Sequence, residues 1–222
     1  ERDSIAALKE VVVSYQAGQY TPVSFQNIPR ETIRVKNYGQ EPSFLLSETP
    51  SVTGYSDAGS GQGYSYFRMR GIDQTRINTS LDGVPMNEPE DQGAYFANQP
   101  DIFSSLSRVQ VQRGVGTSQN GVASYAGSIQ LFSPNLADSS YAAIGGGYGA
   151  FNSWRVYGEY NSGLPNKKGL YARASGLGSD GYKYHSGNQS QSAFLSTGYF
   201  GSRSAWTMNA LVGHQQNRMA WI

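Results

Sequence analysis

From about residue 139 onward, apolar or small residues alternate with polar ones. In Asn152 to Tyr160, Trp154, Val156, Gly158 and Tyr160 share one parity, while Ser153, Arg155, Tyr157 and Glu159 take the other. Leu170, Ala172 and Ala174 alternate with Tyr171, Arg173 and Ser175, and Trp206, Met208, Ala210 and Val212 with Thr207, Asn209 and Leu211. A period of two puts each set on its own face of a strand. The pattern predicts five strands, near 141–148, 151–161, 169–178, 190–200 and 204–215. Dyads of roughly ten residues between turns suit a barrel wall with lipid on one face and water on the other. A soluble sandwich produces the same alternation. Tyr and Trp near the strand ends, where an interfacial girdle would sit, favour the membrane.

The stretch from about 20 to 136 reads instead as mixed α and β. Val23 to Asn27, Ser51 to Tyr55, Tyr66 to Arg70, Ile77 to Leu81, Arg108 to Gln112 and Ser128 to Phe132 are strand material. Pro29-Arg30-Glu31 opens a short helix, and Glu41 to Leu46 fits another with Pro42 in its first turn. Pro100 to Leu106 suggests one or two helical turns. The Asp82-Gly83 pair suits a turn with positive backbone angles. Ahead of this unit, Val11-Val12-Val13 favours an extended strand, since β-branched side chains lose rotamer freedom in a helix.

Composition narrows the class. Charged residues are 15% of the chain, against about 25% in an average soluble domain. The 27 glycines and 16 tyrosines fit a β-rich protein with many turns. A net charge of +1 without a basic run gives no reason to expect nucleic acid. No apolar stretch approaches the ~18 residues of a spanning helix, so a membrane crossing would have to be made by strands. Without cysteine there is neither a disulfide framework nor a thiolate site. Glu1 is not preceded by a signal peptide, which suggests a chain either processed or never exported.

Three blocks carry a resemblance. Phe67-Arg68-Met69-Arg70-Gly71-Ile72-Asp73-Gln74-Thr75-Arg76 leads to Leu81-Asp82-Gly83-Val84-Pro85-Met86-Asn87, and Ser107-Arg108-Val109-Gln110-Val111-Gln112-Arg113-Gly114 follows later. Together they resemble the plug domain of TonB-dependent outer-membrane receptors. Gly146 to Asn152, Ser179 to Tyr182 and Gln216 to Trp221 are similar to the first three outer loops of Bacteroidetes members. The resemblance implies an arm over 1–19, an α+β plug over 20–138 (a small mixed sheet with short helices), and the first antiparallel strands of a transmembrane β-barrel over 139–222. Family barrels have roughly twenty-two strands, and closure needs about eight. Five strands therefore suggest the N-terminal part of a receptor.

The same resemblance implies site roles. Glu10, Val11, Val12, Val13 and Ser14 match the Ton box, which the energising partner TonB captures by strand addition. An edge strand of the next domain explains the same residues. Arg70 and Arg113, each before a glycine, match a latch in which plug arginines meet glutamates on later barrel strands. Solvated surface arginines are the plain alternative. Asn87 to Phe96 follows the Asp-Gly-Val-Pro turn, and Glu88, Glu90, Asp91, Tyr95 and Phe96 are candidates for a ligand floor. A solvated acidic turn is the more frequent outcome for three acids in a loop, and their spacing is not that of a cation cage.

Other signals are discounted. Gly145-Gly146-Gly147-Tyr148-Gly149 lacks the Lys-Ser/Thr of a phosphate loop. His185 and His214 lie on different segments, so no metal site is expected. No cofactor is implied and no catalytic constellation is present, so an enzyme is not expected. One departure concerns a turn where the family often has Gly-Gly and this chain has Ala126-Gly127. Another is Arg113-Gly114-Val115, where the starch-utilisation branch has Lys-Asp-Ala; it weighs against a glycan importer working beneath a surface lipoprotein. The expected function is TonB-dependent import of an iron–siderophore, haem or cobalamin across the outer membrane of a Gram-negative bacterium. The alternatives are an oligosaccharide importer of the same family and a soluble or surface binding module.

Overall fold

The computed structural model describes residues 17–18, 23–57, 61–115, 121 and 124–218. The segment Glu10 to Ser14 lies outside them. β1 (Ser24–Pro29) runs directly into α1 (Arg30–Lys36), and Pro42 occupies the first turn of α2 (Pro42–Leu46). There its missing N–H leaves no bond unmade and its fixed φ is already helical. β2 (Val52–Ser56), β3 (Ser65–Met69) and the short β4 (Ile72–Asp73) form an antiparallel sheet. β5 (Ile77–Leu81) pairs with β6 (Val84–Pro85) across Asp82 and Gly83, whose φ values of 49° and 84° are the positive angles the turn demands.

β7 (Arg108–Arg113) and β8 (Gly127–Phe132) complete a second sheet of order β1-β7-β8-β5-β6, in which only β5 and β8 run parallel. β8 is buried along its whole length between β7 and β5. At its start, a Cβ on Gly127 would sit 2.1 Å from the Gln112 carbonyl oxygen, so this position excludes a side chain. Its neighbour Ala126 is buried yet accommodated. The Ala126-Gly127 sequence thus keeps the glycine that close backbone approach requires.

Both sheets pack on one core that includes Ile33, Leu46, Phe67, Met69, Ile77, Ile129 and Leu131. Phe96 lies inside it, stacked on Phe67 at 5.8 Å and edge-on to Phe103 at 5.5 Å. The expected helix over Pro100 to Leu106 is a single 3-10 turn, Ile102–Ser105. Asp101, with φ of 56°, is left-handed and stops the helix from starting earlier.

The remaining chain is an antiparallel meander: β9 (Tyr141–Gly149), β10 (Ser153–Asn161), β11 (Lys168–Ser179), β12 (Asn188–Phe200) and β13 (Ala205–Asn217). All five match the periodic segments to within about three residues. One face carries Ile144, Tyr148, Trp154, Val156, Tyr160, Leu195, Met208 and Val212, all exposed. The other presents Tyr171, Arg173, Phe194 and Ser196, all buried against the α+β unit. The parity predicted from sequence is therefore the parity of the wall. Among the described residues, no helix is long and apolar enough to cross a membrane.

Candidate functional site

The polar parity of the wall is charged where it meets the α+β unit. Arg30, the first residue of α1, donates from Nη2 to Glu159 on β10 at 3.0 Å and to the Tyr141 hydroxyl at 2.8 Å. Glu159 Oε2 also accepts from the Tyr171 hydroxyl at 3.0 Å and from Arg173 Nη1 at 3.3 Å. Arg173 reaches on to Asp101 at 3.1 Å, and the other Asp101 oxygen accepts from Arg155 at 3.0 Å. Arg155 closes on the Asn37 carbonyl at 2.8 Å. The Tyr157 ring lies beneath both Arg155 and Arg173.

The result is an alternating chain, Arg30–Glu159–Arg173–Asp101–Arg155, that crosses between the two units three times. The Asp101 side chain is 1% exposed, and those of Glu159 and Arg173 are 3% and 5%. Ions this deep persist only because each is paired, and removing one partner costs about 3–5 kcal/mol. The left-handed backbone at Asp101 delivers its carboxylate between two wall arginines.

Two further ties reach β13. Asp82, in the tight turn, accepts from Asn209 at 2.8 Å and from the Ser133 N–H at 3.0 Å. Glu41, just before α2, accepts from the Gln215 amide at 3.3 Å, while its own N–H bonds to the Gly61 carbonyl at 2.7 Å. Burial pushes the Glu41 carboxyl up to about 7, only partly offset by the bonds from Gln215 and the Gly63 backbone.

The structure brings Arg70 and Arg113 to one end of the α+β unit. Arg70 sits in the β3–β4 turn at φ 54°, with its guanidinium over Gly114. Arg113 donates to the Pro50 carbonyl at 3.4 Å. Arg70 is exposed and Arg113 half-buried, and among the described residues neither meets a carboxylate.

The stretch 87–96 folds on itself. Asn87 bonds back to Thr79, Ile77 and Gln92, so it shapes the loop. Glu88 accepts from Asn98 at 2.8 Å, and Asp91 accepts from the Gly93 N–H and the Tyr95 hydroxyl. That last bond holds the Asp91 carboxyl below its usual range and raises the Tyr95 phenol to about 12. Glu90 is exposed. Phe96 is a correction to the expected ligand floor: it is 2% exposed and belongs to the core. A ten-residue loop that begins at a rigid turn needs an apolar anchor at its far end, and Phe96 is that anchor. No group of metal-ligating side chains occurs among the described residues.

A cleft of about 640 Å³ opens near the 150–152 turn, between Tyr38 and Gln62 on one side and Tyr148, Phe151, Arg155 and Tyr182 on the other. Phe151 and Tyr182 meet edge to face at 5.5 Å. Neither the cleft nor the ion chain was found from sequence. The only signal was that the polar parity of β10 and β11 carries Arg155, Glu159 and Arg173 rather than neutral residues.

The comparisons agree with this fold. The TonB-dependent receptor plug domain model matches residues 18–128. Among solved structures, the copper transporter OprC is 15% identical with a TM-score of 0.71, over 92% of this chain and 33% of its own. The pyoverdine outer-membrane receptor FpvA of Pseudomonas aeruginosa is 16% identical, with a TM-score of 0.68 over 88% of this chain and 28% of its own. The siderophore receptor PiuA of Acinetobacter baumannii is 16% identical, with a TM-score of 0.66 over 87% and 26%. No curated protein sequence matches. The chain spans only about a quarter to a third of the length of these receptors. Its place is the bacterial outer membrane, with β9 to β13 forming the start of the barrel wall. An α+β plug matched by its own family model, ion-paired to a wall with one apolar face, makes this chain a member of the TonB-dependent receptor family.

Proposed function

We propose that this chain is the gate-bearing part of a TonB-dependent importer for a scarce metal chelate or cofactor, of the iron–siderophore, haem or cobalamin type. The observation that carries the reading is the buried Arg30–Glu159–Arg173–Asp101–Arg155 chain. It fastens a separately folded plug to the water-facing side of a wall whose outer face is apolar, which is the construction of a stoppered pore. Residues 1–19 serve as arm, 20–138 as plug and 139–222 as wall, with Glu10 to Ser14 offered to TonB for strand addition. Arg70 and Arg113 latch the plug to barrel strands beyond these five. Ligand enters between the plug surface and the outer hairpins, where Tyr38, Phe151 and Tyr182 line the cleft; Glu88, Glu90, Asp91 and Tyr95 of the 87–96 loop complete the ligand floor in this reading. The names of FpvA and PiuA, receptors for pyoverdine and siderophores, support an iron-chelate class.

Uptake of labelled ferric siderophores, haem and cobalamin by cells expressing the receptor, with and without TonB, tests the proposal. One of them should accumulate only when TonB is present. Accumulation of none, or equal accumulation without TonB, overturns it.

A further inference from the structure

Ala17 lies only three residues beyond Ser14 and is 4% exposed. Its backbone is held by a side chain rather than by another strand. The Ala17 N–H donates to Gln110 Oε1 at 2.9 Å, and Gln110 Nε2 donates to the Ala17 carbonyl at 3.1 Å. A carboxamide that gives one bond and takes one from the same residue imitates the edge of a strand. Gln110 Nε2 also donates to Asn27 Oδ1 at 2.8 Å, and Gln110 Oε1 accepts from Gln112 Nε2 at 3.0 Å. The amide therefore uses two donors and two acceptor positions, and Gln110 itself is 1% exposed.

We propose that Gln110 is a clip that holds the arm to the plug at Ala17, and that it must open before the arm can be drawn away. The proposal rests on reading Glu10 to Ser14 as the captured segment. A pull on the arm reaches Ala17 before it reaches β1, which begins at Ser24. The clip consists of two neutral hydrogen bonds to one residue, whereas β1 pairs with β7 along six residues. The clip yields first. Its opening leaves one donor and one acceptor of a buried amide unmatched beside Asn27, which faces Gln110 in the β1–β7 register. Release of Ala17 thus weakens the pairing that must break next. Gln110 acts here as a positioning residue, setting the order in which the plug comes apart.

The chain contains no cysteine, and a Cβ on the exposed Gly18 meets nothing within 4 Å. Gly18→Cys, carrying a nitroxide in the full receptor with any cysteine outside these 222 residues replaced by serine, reports directly on the clip in outer membranes. A second label at Val35→Cys on α1 reports on the plug. Gln110→Met removes the carboxamide from the plug side, and Ala17→Pro removes the donor from the arm side without altering the plug. In membranes lacking TonB, both substitutions should mobilise the label at position 18, raise protease cleavage of the arm at least tenfold and leave the label at position 35 unchanged. An immobile label with unchanged cleavage in both variants overturns the clip. Mobilisation at both positions overturns it too, because Gln110 would then only support the fold. If the arm is released as expected but ligand uptake is indifferent to TonB, the clip stands and the transport reading fails.

Discussion

Arg173 of the barrel wall donates to Asp101 of the plug at 3.1 Å, with the two side chains 5% and 1% exposed. Arg173 also holds Glu159, its neighbour across the β10–β11 pair, at 3.3 Å. One guanidinium thereby joins wall to wall and wall to plug. The contact is strong against small displacements and fails sharply when a partner is lost, because the survivor stays buried and charged. That behaviour suits a gate that is either shut or open.

Asp101→Ala leaves Arg155 and Arg173 without their shared carboxylate. We expect plug docking to weaken by about 3–5 kcal/mol. Permeation of a large antibiotic into cells carrying the mutant should rise, and the urea midpoint of the purified receptor should fall. Unchanged values for both would mean the ion chain is an ornament of the closed state.

Glu41 makes docking depend on pH. Its value in the folded protein is raised from 4.5 to about 7, chiefly by burial. A carboxyl raised in the folded state favours folding while protonated, so its contribution is complete below pH ~4.5. It is lost as pH rises to about 7, and is flat beyond. A shift of this size corresponds to on the order of 3 kcal/mol. Hydrogen exchange in α2 and the 61–63 loop should be slower at pH 5 than at pH 8 after correction for intrinsic rate. Glu41→Gln should abolish the difference.

Val12→Pro removes a backbone donor from the arm and should block strand addition. Uptake should fall while ligand affinity at the cell surface stays at the wild-type value. Undiminished uptake would place the TonB-binding segment elsewhere.

Aromatic residues of the loop and the cleft should separate by role. Tyr38→Ala with Tyr182→Ala removes two anchors from the cleft and should weaken ligand binding by about 2 kcal/mol or more. Phe96→Ala instead opens a cavity in the plug core and should lower stability by about 3–5 kcal/mol. Glu88→Gln with Glu90→Gln should change affinity by less than ~1 kcal/mol. Equilibrium binding of the transported ligand, read beside urea unfolding, distinguishes these outcomes.

Arg70→Ala and Arg113→Ala should each loosen the plug if later strands supply their carboxylates. Antibiotic permeation is again the measurement. Two single mutants as tight as wild type would make these arginines ordinary surface residues.

Most of the secondary structure was legible without coordinates, because it is written in local periodicity and turn chemistry. The dyads of Trp154 to Tyr160 and Trp206 to Val212 define both the wall strands and their outward face, since parity along a strand is a purely local property. Asp82-Gly83 and Pro42 announce their turn and helix start for equally local reasons. What tertiary structure alone decided is which residues meet across the fold. Asp101 and Arg173 are far apart in sequence and neither sits in a recognisable motif, so only the docking of plug on wall makes them partners. Phe96 reads as a loop aromatic, but the path from a rigid turn to the next 3-10 segment carries it into the core. Arg30, read only as the opening of a helix, lies within reach of Glu159 because β1 ends against the wall. Pairing across distance depends on the whole packing arrangement, and no window of neighbouring residues encodes it.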